Sequence, residues 1–370
     1  MVFPYVFCRM KGLLTLAIAL VFPLMACAAP IPVALPAADL AQAPQPASAA
    51  HADHGHEGAE LRQLAPTALA EDEKLRVVAT TNILADVVRS VGGDQIELTS
   101  LLPVGADPHS YNATPADLRL LSDAHVVFIV GEGIEESLLA VLENREGGSA
   151  LITVNTGIDL MEMHDEAEAH PDDHEDEHAE EHEETHAEAE AHHHHDLDPH
   201  TWTAVPNVIH WVEIIEHALG ELDPANAEVY ESAATAYLAE LEALDNEIAA
   251  AVAALPVENR KLVTDHETFG YFAARYGFEV IGSVIPSFST LAAPSAQELA
   301  ALQRQIEAEG VKAIFVGSTV NPSLAGQIAD DVGVQVVPLY ADSLSDPTGP
   351  APTYIDMMRY NVTAIVAALQ

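Results

Sequence analysis

Three features of this sequence predict an α/β fold of two lobes. Short β-branched or apolar runs alternate with helical segments, this alternation occurs twice, and one long helical stretch lies between the two series. Such alternation predicts mainly parallel sheets flanked by helices. We expect lobes over 74–204 and 258–370, joined by a long, rigid linker helix over 205–257. Because ligands of such sheets bind beyond the carboxyl ends of the strands, the cleft between the lobes is the expected binding site.

Each lobe contains four strand candidates. In the first lobe the predicted strands are 74–81, 95–102, 125–130 and 151–155, and the predicted helices are 82–91, 115–122 and 135–143. In the second lobe the predicted strands are 261–264, 279–283, 312–316 and 335–338, and 353–369 is the closing helix. The intervening stretch is periodic over 206–219 and 225–255. Asp223-Pro224 either begins a second helix there or kinks one continuous helix.

The first 73 residues have the composition of targeting and linker segments. An apolar run over 13–25 follows two basic residues, which predicts a signal peptide over 1–26 and is too short to span a bilayer comfortably. The sequence Leu-Met-Ala-Cys that ends at Cys27 is typical of lipoprotein processing, so a lipid on Cys27 is the expected membrane anchor. Plain secretory cleavage is the alternative. Residues 27–73 are rich in Ala, Pro and Gln, with a short histidine cluster, and are expected to form a disordered tether.

Charge and cysteine usage narrow the chemistry. The chain has 58 acidic and 14 basic residues, for a net charge of −44 at pH 7. Such a charge disfavours nucleic acid and anionic membrane surfaces as partners and attracts cations. Its two cysteines, Cys8 and Cys27, both precede the predicted folded region. That region has neither a disulfide nor a thiolate ligand, so a transition-metal site there must use histidines and carboxylates.

The segment 163–196 is the most unusual part of the chain. Between His164 and His195 it contains ten histidines, fourteen acidic residues and no Lys or Arg. Imidazole and carboxylate suit Zn²⁺, Cu²⁺ and Ni²⁺, but repulsion between the carboxylates argues against one fixed geometry. We therefore expect several weak, exchangeable metal sites, and the alternative is a solvated acidic insertion without a specific role. The histidines are His164, His170, His174, His178, His182, His186, His192, His193, His194 and His195.

Three further histidines occur in short motifs where cleft residues are expected. His109 follows a predicted strand in Gly-Ala-Asp-Pro-His-Ser-Tyr, and His200 precedes the long helical stretch in Asp-Pro-His-Thr-Trp. His266 and Asp342 each follow a predicted strand of the second lobe. Three imidazoles and one carboxylate or water would form a four-coordinate, nitrogen-rich site typical of Zn²⁺.

Other polar residues of the same regions receive different interpretations. Asp107 and Asp198, together with nearby carbonyls, are candidate hydrogen-bond acceptors that would orient the imidazoles. His125, His210 and His217 are expected to be ordinary surface or partly buried histidines. A zinc hydrolase would need a general base beside a bound water, and Glu267 is adjacent to His266. However, the chain lacks a His-Glu-x-x-His motif or a comparable signature, so we do not expect an enzyme.

Taken together, these motifs resemble those of the zinc and manganese solute-binding lipoproteins of ATP-binding-cassette (ABC) importers, the cluster A-I or zinc-uptake receptor family. The similar segments are 105–111 with Pro115 and Asp117, 198–202, 266–277, 281–283 with 289–290 and 294–295, and 340–344. They extend from about Lys74 to the C-terminus. Zinc members also carry a His-rich loop, whereas the second-lobe disulfide that enteric-type zinc members often have cannot form here.

The resemblance implies a two-lobed fold with a rigid helical linker and one metal ion in the cleft. It places His109, His200 and His266 at the three histidine ligand positions and Asp342 at the acidic one. Manganese-selective members usually have Glu at the third position, so His266 shifts the preference from Mn²⁺ toward Zn²⁺. The expected protein is a monomeric, extracytoplasmic receptor that delivers Zn²⁺, as transported ligand, to the membrane permease of an ABC importer. Alternatives are a Mn²⁺ receptor of the same family and a surface zinc buffer or adhesin-like lipoprotein.

Overall fold

The computed structural model describes residues 64–143, 149–162 and 197–370. The predicted signal peptide, Cys27 and the histidines of 163–196 lie outside these ranges. The strands are β1 (Leu75–Ala79), β2 (Ile96–Ser100), β3 (Val126–Ile129), β4 (Ala150–Thr153), β5 (Lys261–His266), β6 (Glu279–Ile285), β7 (Ala313–Gly317) and β8 (Gln335–Leu339). The helices are α1 (Asn82–Gly92), α2 (Pro115–Asp123), α3 (Leu139–Glu143), α4 (Val205–Leu222), α5 (Ala227–Ala253), α6 (Gly270–Tyr276), α7 (Ala296–Glu309), α8 (Ser323–Val332) and α9 (Tyr354–Leu369).

The two predicted parallel sheets are confirmed and have the same strand order. The first sheet is ordered β2-β1-β3-β4 and the second β6-β5-β7-β8, with every neighbouring pair parallel. Parallel strands bring their carboxyl ends to one edge of a sheet, and ligand sites form at that edge. His109 follows β2, His266 is the last residue of β5, and Asp342 follows β8.

Alternating side chains divide the core between the two faces of each sheet. In β1, Val77 belongs to a large central cluster, whereas Val78 belongs to a cluster on the other face. In β5, Leu262 and Val263 are divided in the same way. This is the two-residue period of a strand that is buried on both faces. Because the central cluster includes residues of both sheets, of α4 and of α5, one continuous core connects the two halves.

The predicted 205–257 helix is divided into two helices in the structure. α4 ends at Leu222, α5 begins at Ala227, and the two helices pack against each other. The Asp223 carboxylate accepts hydrogen bonds from Asn226 (2.7 Å) and Tyr230 (2.9 Å), which stabilises the turn. Kinking of one continuous helix is therefore not observed. α5 also contacts α1 of the first half and α9 of the second.

Two further boundaries differ from the prediction. Residues 64–73 were expected to belong to the disordered tether, but Leu64 and Leu69 pack against the core. The Thr67 N–H also donates to the Leu222 carbonyl (2.8 Å), which attaches this stretch to the C-terminal end of α4. The predicted helix over 135–143 is divided into a 3₁₀ turn, Glu136–Leu138, and the short α3. Within the described ranges, no helix is both long and apolar enough to cross a membrane.

Candidate metal centre

The loop between β2 and α2 carries His109. Asp107 organises it: one carboxylate oxygen accepts the His109 backbone N–H (3.0 Å), and the other accepts the Ser110 hydroxyl (2.8 Å). The second oxygen also accepts the hydroxyl of Thr290, a residue of the second half (2.7 Å). Ser137 donates its hydroxyl to the His109 carbonyl (2.5 Å). These contacts hold the backbone of His109 while its imidazole is buried.

His200 is held by the aspartate two residues before it. One Asp198 carboxylate oxygen accepts both the His200 backbone N–H (2.9 Å) and a hydrogen from the ring Nδ1 (2.8 Å). That bond turns the ring Nε2 toward His109, where Nε2 to Nε2 is 3.3 Å. Such a carboxylate–histidine pair fixes the imidazole tautomer and its orientation. The Trp202 ring is 5.2 Å from the His200 ring, centroid to centroid.

His266 is the last residue of β5, which is two residues longer than predicted. Its imidazole, like that of His200, is held by a carboxylate. Its ring Nδ1 pairs with a carboxylate oxygen of Asp265 (3.0 Å), and the other Asp265 oxygen accepts the Gly317 N–H (2.8 Å). The ring Nε2 is 2.6 Å from the Thr268 hydroxyl and 3.8 Å from Asp342 Oδ1. Two adjacent strands of the second sheet, β5 and β7, therefore hold the carboxylate that orients this histidine.

Within the described part of the chain, Asp342 accepts a hydrogen bond at only one of its two carboxylate oxygens. Oδ2 accepts the Thr319 hydroxyl (2.9 Å), whereas Oδ1 is buried and has no hydrogen-bond partner among the described residues. An unpaired buried carboxylate oxygen is costly unless a cation or donor satisfies it. Its position 3.8 Å from His266 Nε2 places it beside the histidine cluster.

The three histidines converge although they come from distant parts of the chain. Ring centroids are 5.3 Å apart for His109 and His200, 5.1 Å for His200 and His266, and 5.7 Å for His109 and His266. One nitrogen of each ring lies within 4.8 Å of the others, and the described ranges contain no other such set of His, Cys, Asp or Glu. Tetrahedral ligands at Zn–N distances of about 2.0–2.1 Å are about 3.3 Å apart. The Nε2 distance of 3.3 Å between His109 and His200 fits that spacing.

Burial and neighbouring charges separate the pKa values of the histidines. Desolvation, aided by the neighbouring histidines, lowers the pKa of His109 and of His200 well below the ordinary value, so both rings are neutral at pH 7. Desolvation also opposes the charge on His266, but Asp342 and Asp265 outweigh it and raise the pKa of His266 to about 9. Burial raises the pKa of Asp342 to about 6 and that of Asp198 to about 7.

Some of the residues that support the imidazoles were predicted from the sequence, and others were not. Asp198 bonds a ring nitrogen as expected, whereas Asp107 holds only the backbone of His109. Asp265 was not among the predicted acceptors, although it directly precedes His266 in the sequence. The three histidines that were expected to be surface or partly buried residues lie outside the cluster of His109, His200 and His266. His125 bonds Arg76, His210 bonds the Thr156 carbonyl, and His217 is near Glu221.

A cavity of about 290 Å³ lies against one side of the cluster. Its lining includes His109, two acidic residues of the first half, Glu132 and Glu136, and Phe288 and Leu291 of the second half. The cavity therefore borders His109 on the side that carries the Glu132 and Glu136 carboxylates.

The Asp198–His200 pair provides a test of imidazole support. In Asp198→Ala, His200 Nδ1 loses its acceptor and the ring its fixed orientation, so the affinity for Zn²⁺ should fall about 10–100-fold. Competition with a calibrated chelator measures that affinity. Asp223→Ala is the matched control, because Asp223 is also buried and hydrogen-bonded but belongs to the turn between α4 and α5. A lowered thermal stability with unchanged affinity is expected for the control, and equal affinities in all three proteins would contradict the assigned role.

Comparison with known proteins agrees with this geometry. The family model of ZnuA, described as the periplasmic component A of the zinc-uptake complex, matches residues 77–368. The chain belongs to this family. As a ZnuA-family protein it is a metal-binding, substrate-binding component of an ABC importer, and the expectation that it is not an enzyme is confirmed.

Individual relatives differ in the metal that their names state. The manganese-binding lipoprotein MntA of Halalkalibacterium halodurans is 31% identical over 305 residues, covering 82% of this chain and 91% of that protein. The periplasmic zinc-binding protein TroA of Treponema pallidum has a TM-score of 0.66 at 27% identity, covering 80% and 99% of the two chains. The Mn-bound periplasmic metal-binding protein of Candidatus Liberibacter asiaticus has a TM-score of 0.67 at 27% identity, covering 80% and 100%. The ZnuA-family fold thus occurs with both zinc and manganese.

Proposed function

We propose that this ZnuA-family protein is an extracytoplasmic receptor that binds Zn²⁺ between its two lobes and delivers it to an ABC permease. The proposed ligands are His109, His200, His266 and Asp342. The observation that carries the proposal is the convergence of three buried imidazoles beside a buried Asp342 oxygen that accepts no hydrogen bond from the described residues. Three nitrogens and one oxygen form a ligand set suited to Zn²⁺.

The main alternative cargo is Mn²⁺, because the relative from Halalkalibacterium halodurans is named a manganese-binding lipoprotein. Carboxylate ligands suit Mn²⁺, whereas imidazole ligands suit Zn²⁺. His266 supplies nitrogen, and its Nδ1 bond to Asp265 strengthens Nε2 as a donor. This supports Zn²⁺ as the cargo.

Metal selectivity must be tested by a change in the ratio of Zn²⁺ to Mn²⁺ affinity, since Zn²⁺ binds more tightly than Mn²⁺ at most sites with nitrogen and oxygen ligands. In His266→Glu we expect the ratio of Zn²⁺ to Mn²⁺ affinity to fall at least about tenfold, because an oxygen replaces the third nitrogen. Metal competition titrations of both proteins measure the ratio. In cells, loss of the gene should reduce Zn²⁺ accumulation and leave Mn²⁺ accumulation unchanged. Reduced Mn²⁺ accumulation with normal Zn²⁺ would establish the alternative.

The acidic segment 163–196 is proposed to be an accessory metal collector. Its flanking residues Glu162 and Leu197 form an antiparallel bridge, and the Asp198 N–H donates to the Met161 carbonyl (2.7 Å). The two ends are therefore adjacent, and a short glycine turn can replace the segment. We expect the shortened protein to retain one tight Zn²⁺ site and to lose most of its total metal capacity.

Zinc-limited growth of cells that carry the shortened protein decides between the accessory role and the buffer alternative. Normal growth is expected if the buried site is the receptor site. If growth collapses although the purified protein keeps the tight site, the acidic segment is the functional metal-binding region, as the buffer alternative requires. Lipid attachment at Cys27 and the monomeric state are further parts of this proposal; the relative MntA is itself named a lipoprotein.

A further inference from the structure

The loops that carry two of the proposed ligands meet at one buried hydroxyl. Ser343 directly follows Asp342, and its hydroxyl accepts the Gly105 N–H (2.8 Å) from the loop that leads to His109. The same oxygen accepts a hydrogen from the Asn82 side-chain amide (3.0 Å) and donates its own proton to the Leu344 carbonyl (3.0 Å). Its donor and both acceptor positions are thus used, and Ser343 is completely buried.

Asn82 uses its whole side chain in this contact. Its amide nitrogen donates to Ser343 and, at 3.4 Å, to the Pro103 carbonyl, while its oxygen accepts the Leu344 N–H (2.8 Å). Asn82 is the first residue of α1, but the hydroxyl of Thr81 caps that helix by accepting the Leu84 N–H. The amide of Asn82 is therefore not needed for capping. It instead bonds Ser343 and Leu344, which follow Asn82 in the chain by 261 and 262 residues.

We propose that Asn82 and Ser343 form a lock between the lobes that positions the Asp342 and His109 loops and limits the rate at which metal leaves. The inference rests on the proposed metal site and adds two positioning residues that do not contact the ion. Separation of the lobes would break both Asn82 bonds to Ser343 and Leu344 and the Gly105 bond, and would leave their buried groups unpaired. The ligand-bearing loops move apart only when this network opens.

The dissociation rate of Zn²⁺ into excess chelator tests the lock in the full chain. The two tryptophans of the chain report on the buried site, since Trp202 is 5.2 Å from the His200 ring and 6.4 Å from the Trp211 ring. Tryptophan fluorescence therefore separates this site from metal held elsewhere. In Asn82→Ala the dissociation rate should rise at least about tenfold, with the association rate changed by less than about threefold.

Ser343→Ala is a smaller change and should also raise the dissociation rate. Because both residues belong to one network, the double variant should dissociate more slowly than the product of the two single effects predicts. Asn361→Ala is the matched control. The Asn361 side chain on α9 accepts the Tyr340 N–H (2.9 Å) and donates to the Tyr340 carbonyl (2.7 Å). Tyr340 lies in the Asp342 loop, so these bonds hold the same loop but stay within the second half. The dissociation rate of this control should stay within about threefold of the original, although its thermal stability falls.

Two results would contradict the proposal that Asn82 and Ser343 limit metal dissociation. One is an unchanged dissociation rate in both Asn82→Ala and Ser343→Ala, and the other is an equal increase in Asn361→Ala. A failure of the proposed function is distinguishable, because the unmodified protein would then show no fluorescence change on addition of Zn²⁺.

Discussion

His200→Ala is expected to abolish tight Zn²⁺ binding, with a loss of affinity greater than about 100-fold. Loss of a supporting partner alone costs about 10–100-fold, and removal of the ligand itself must cost more. His200 is central among the histidines, with its Nε2 3.3 Å from His109 and its ring 5.1 Å from that of His266. Without it, one carboxylate and two nitrogens remain, and water must complete the coordination.

Zn²⁺ titration monitored by tryptophan fluorescence, with a competing chelator, measures this loss. His217→Ala is the matched control, since His217 lies on α4, outside the histidine cluster, with a side chain that is 45% exposed and 3.7 Å from Glu221. The control should bind with the original affinity and one tight site. If His200→Ala keeps both the stoichiometry and the affinity of the unmodified protein, the buried cluster is not the metal site.

Zn²⁺ affinity is expected to fall steeply as the pH decreases from 9 to 6. Metal binding requires a neutral imidazole, and the pKa of His266 is raised to about 9, so binding below pH 9 must displace a proton. Displacement of one proton lowers the apparent affinity about tenfold for each unit of decreasing pH. Below pH 6 the dependence steepens further, because the pKa of Asp342 is about 6 and its carboxylate then also becomes protonated.

Calorimetry at pH 7.5 in buffers of different ionisation enthalpy should detect release of about one proton per tight Zn²⁺. The protein shortened at 163–196 is the suitable sample, because protons released by histidines of that segment would otherwise be counted. The metal-free protein should show a related effect in its stability. Since the folded pKa of His266 lies above its ordinary 6.5, protonation stabilises the fold below pH 6.5, and this contribution is lost as the pH rises through 9. A pH-independent affinity between 7 and 9 would show that His266 is already neutral.

The elements near the site followed closely from local patterns. The run from Lys261 to Thr264 predicted a strand, and β5 extends to His266 because that residue still pairs with Ile285 of β6. Strand length depends on the partner strand, which the local sequence does not contain. The division between α4 and α5 was one of two predicted alternatives. The choice depended on whether the helices could pack on each other, which they do through the central core.

The packing of residues 64–73 was missed for a similar reason. Composition indicated a disordered tether, and the local sequence has little apolar content with which to form an independent core. Leu64 and Leu69 nevertheless pack against a core that other segments provide, and Thr67 bonds the end of α4. A few apolar side chains become ordered when a surface already exists to receive them.

The sequence by itself determined which residues could bind a metal and where along the chain they would lie. Without a cysteine in the folded region only histidine and carboxylate were available, and His109, His200, His266 and Asp342 stood at strand exits or helix entries. Asp198 was also a predicted support for His200, but tertiary structure alone decided the support of the other ligands. It paired His266 with Asp265, left one Asp342 oxygen without a hydrogen bond among the described residues, and joined Asn82 to Ser343. The physical reason is that backbone periodicity follows from neighbouring residues, whereas hydrogen bonds between distant residues depend on how the two sheets and the helices between them pack.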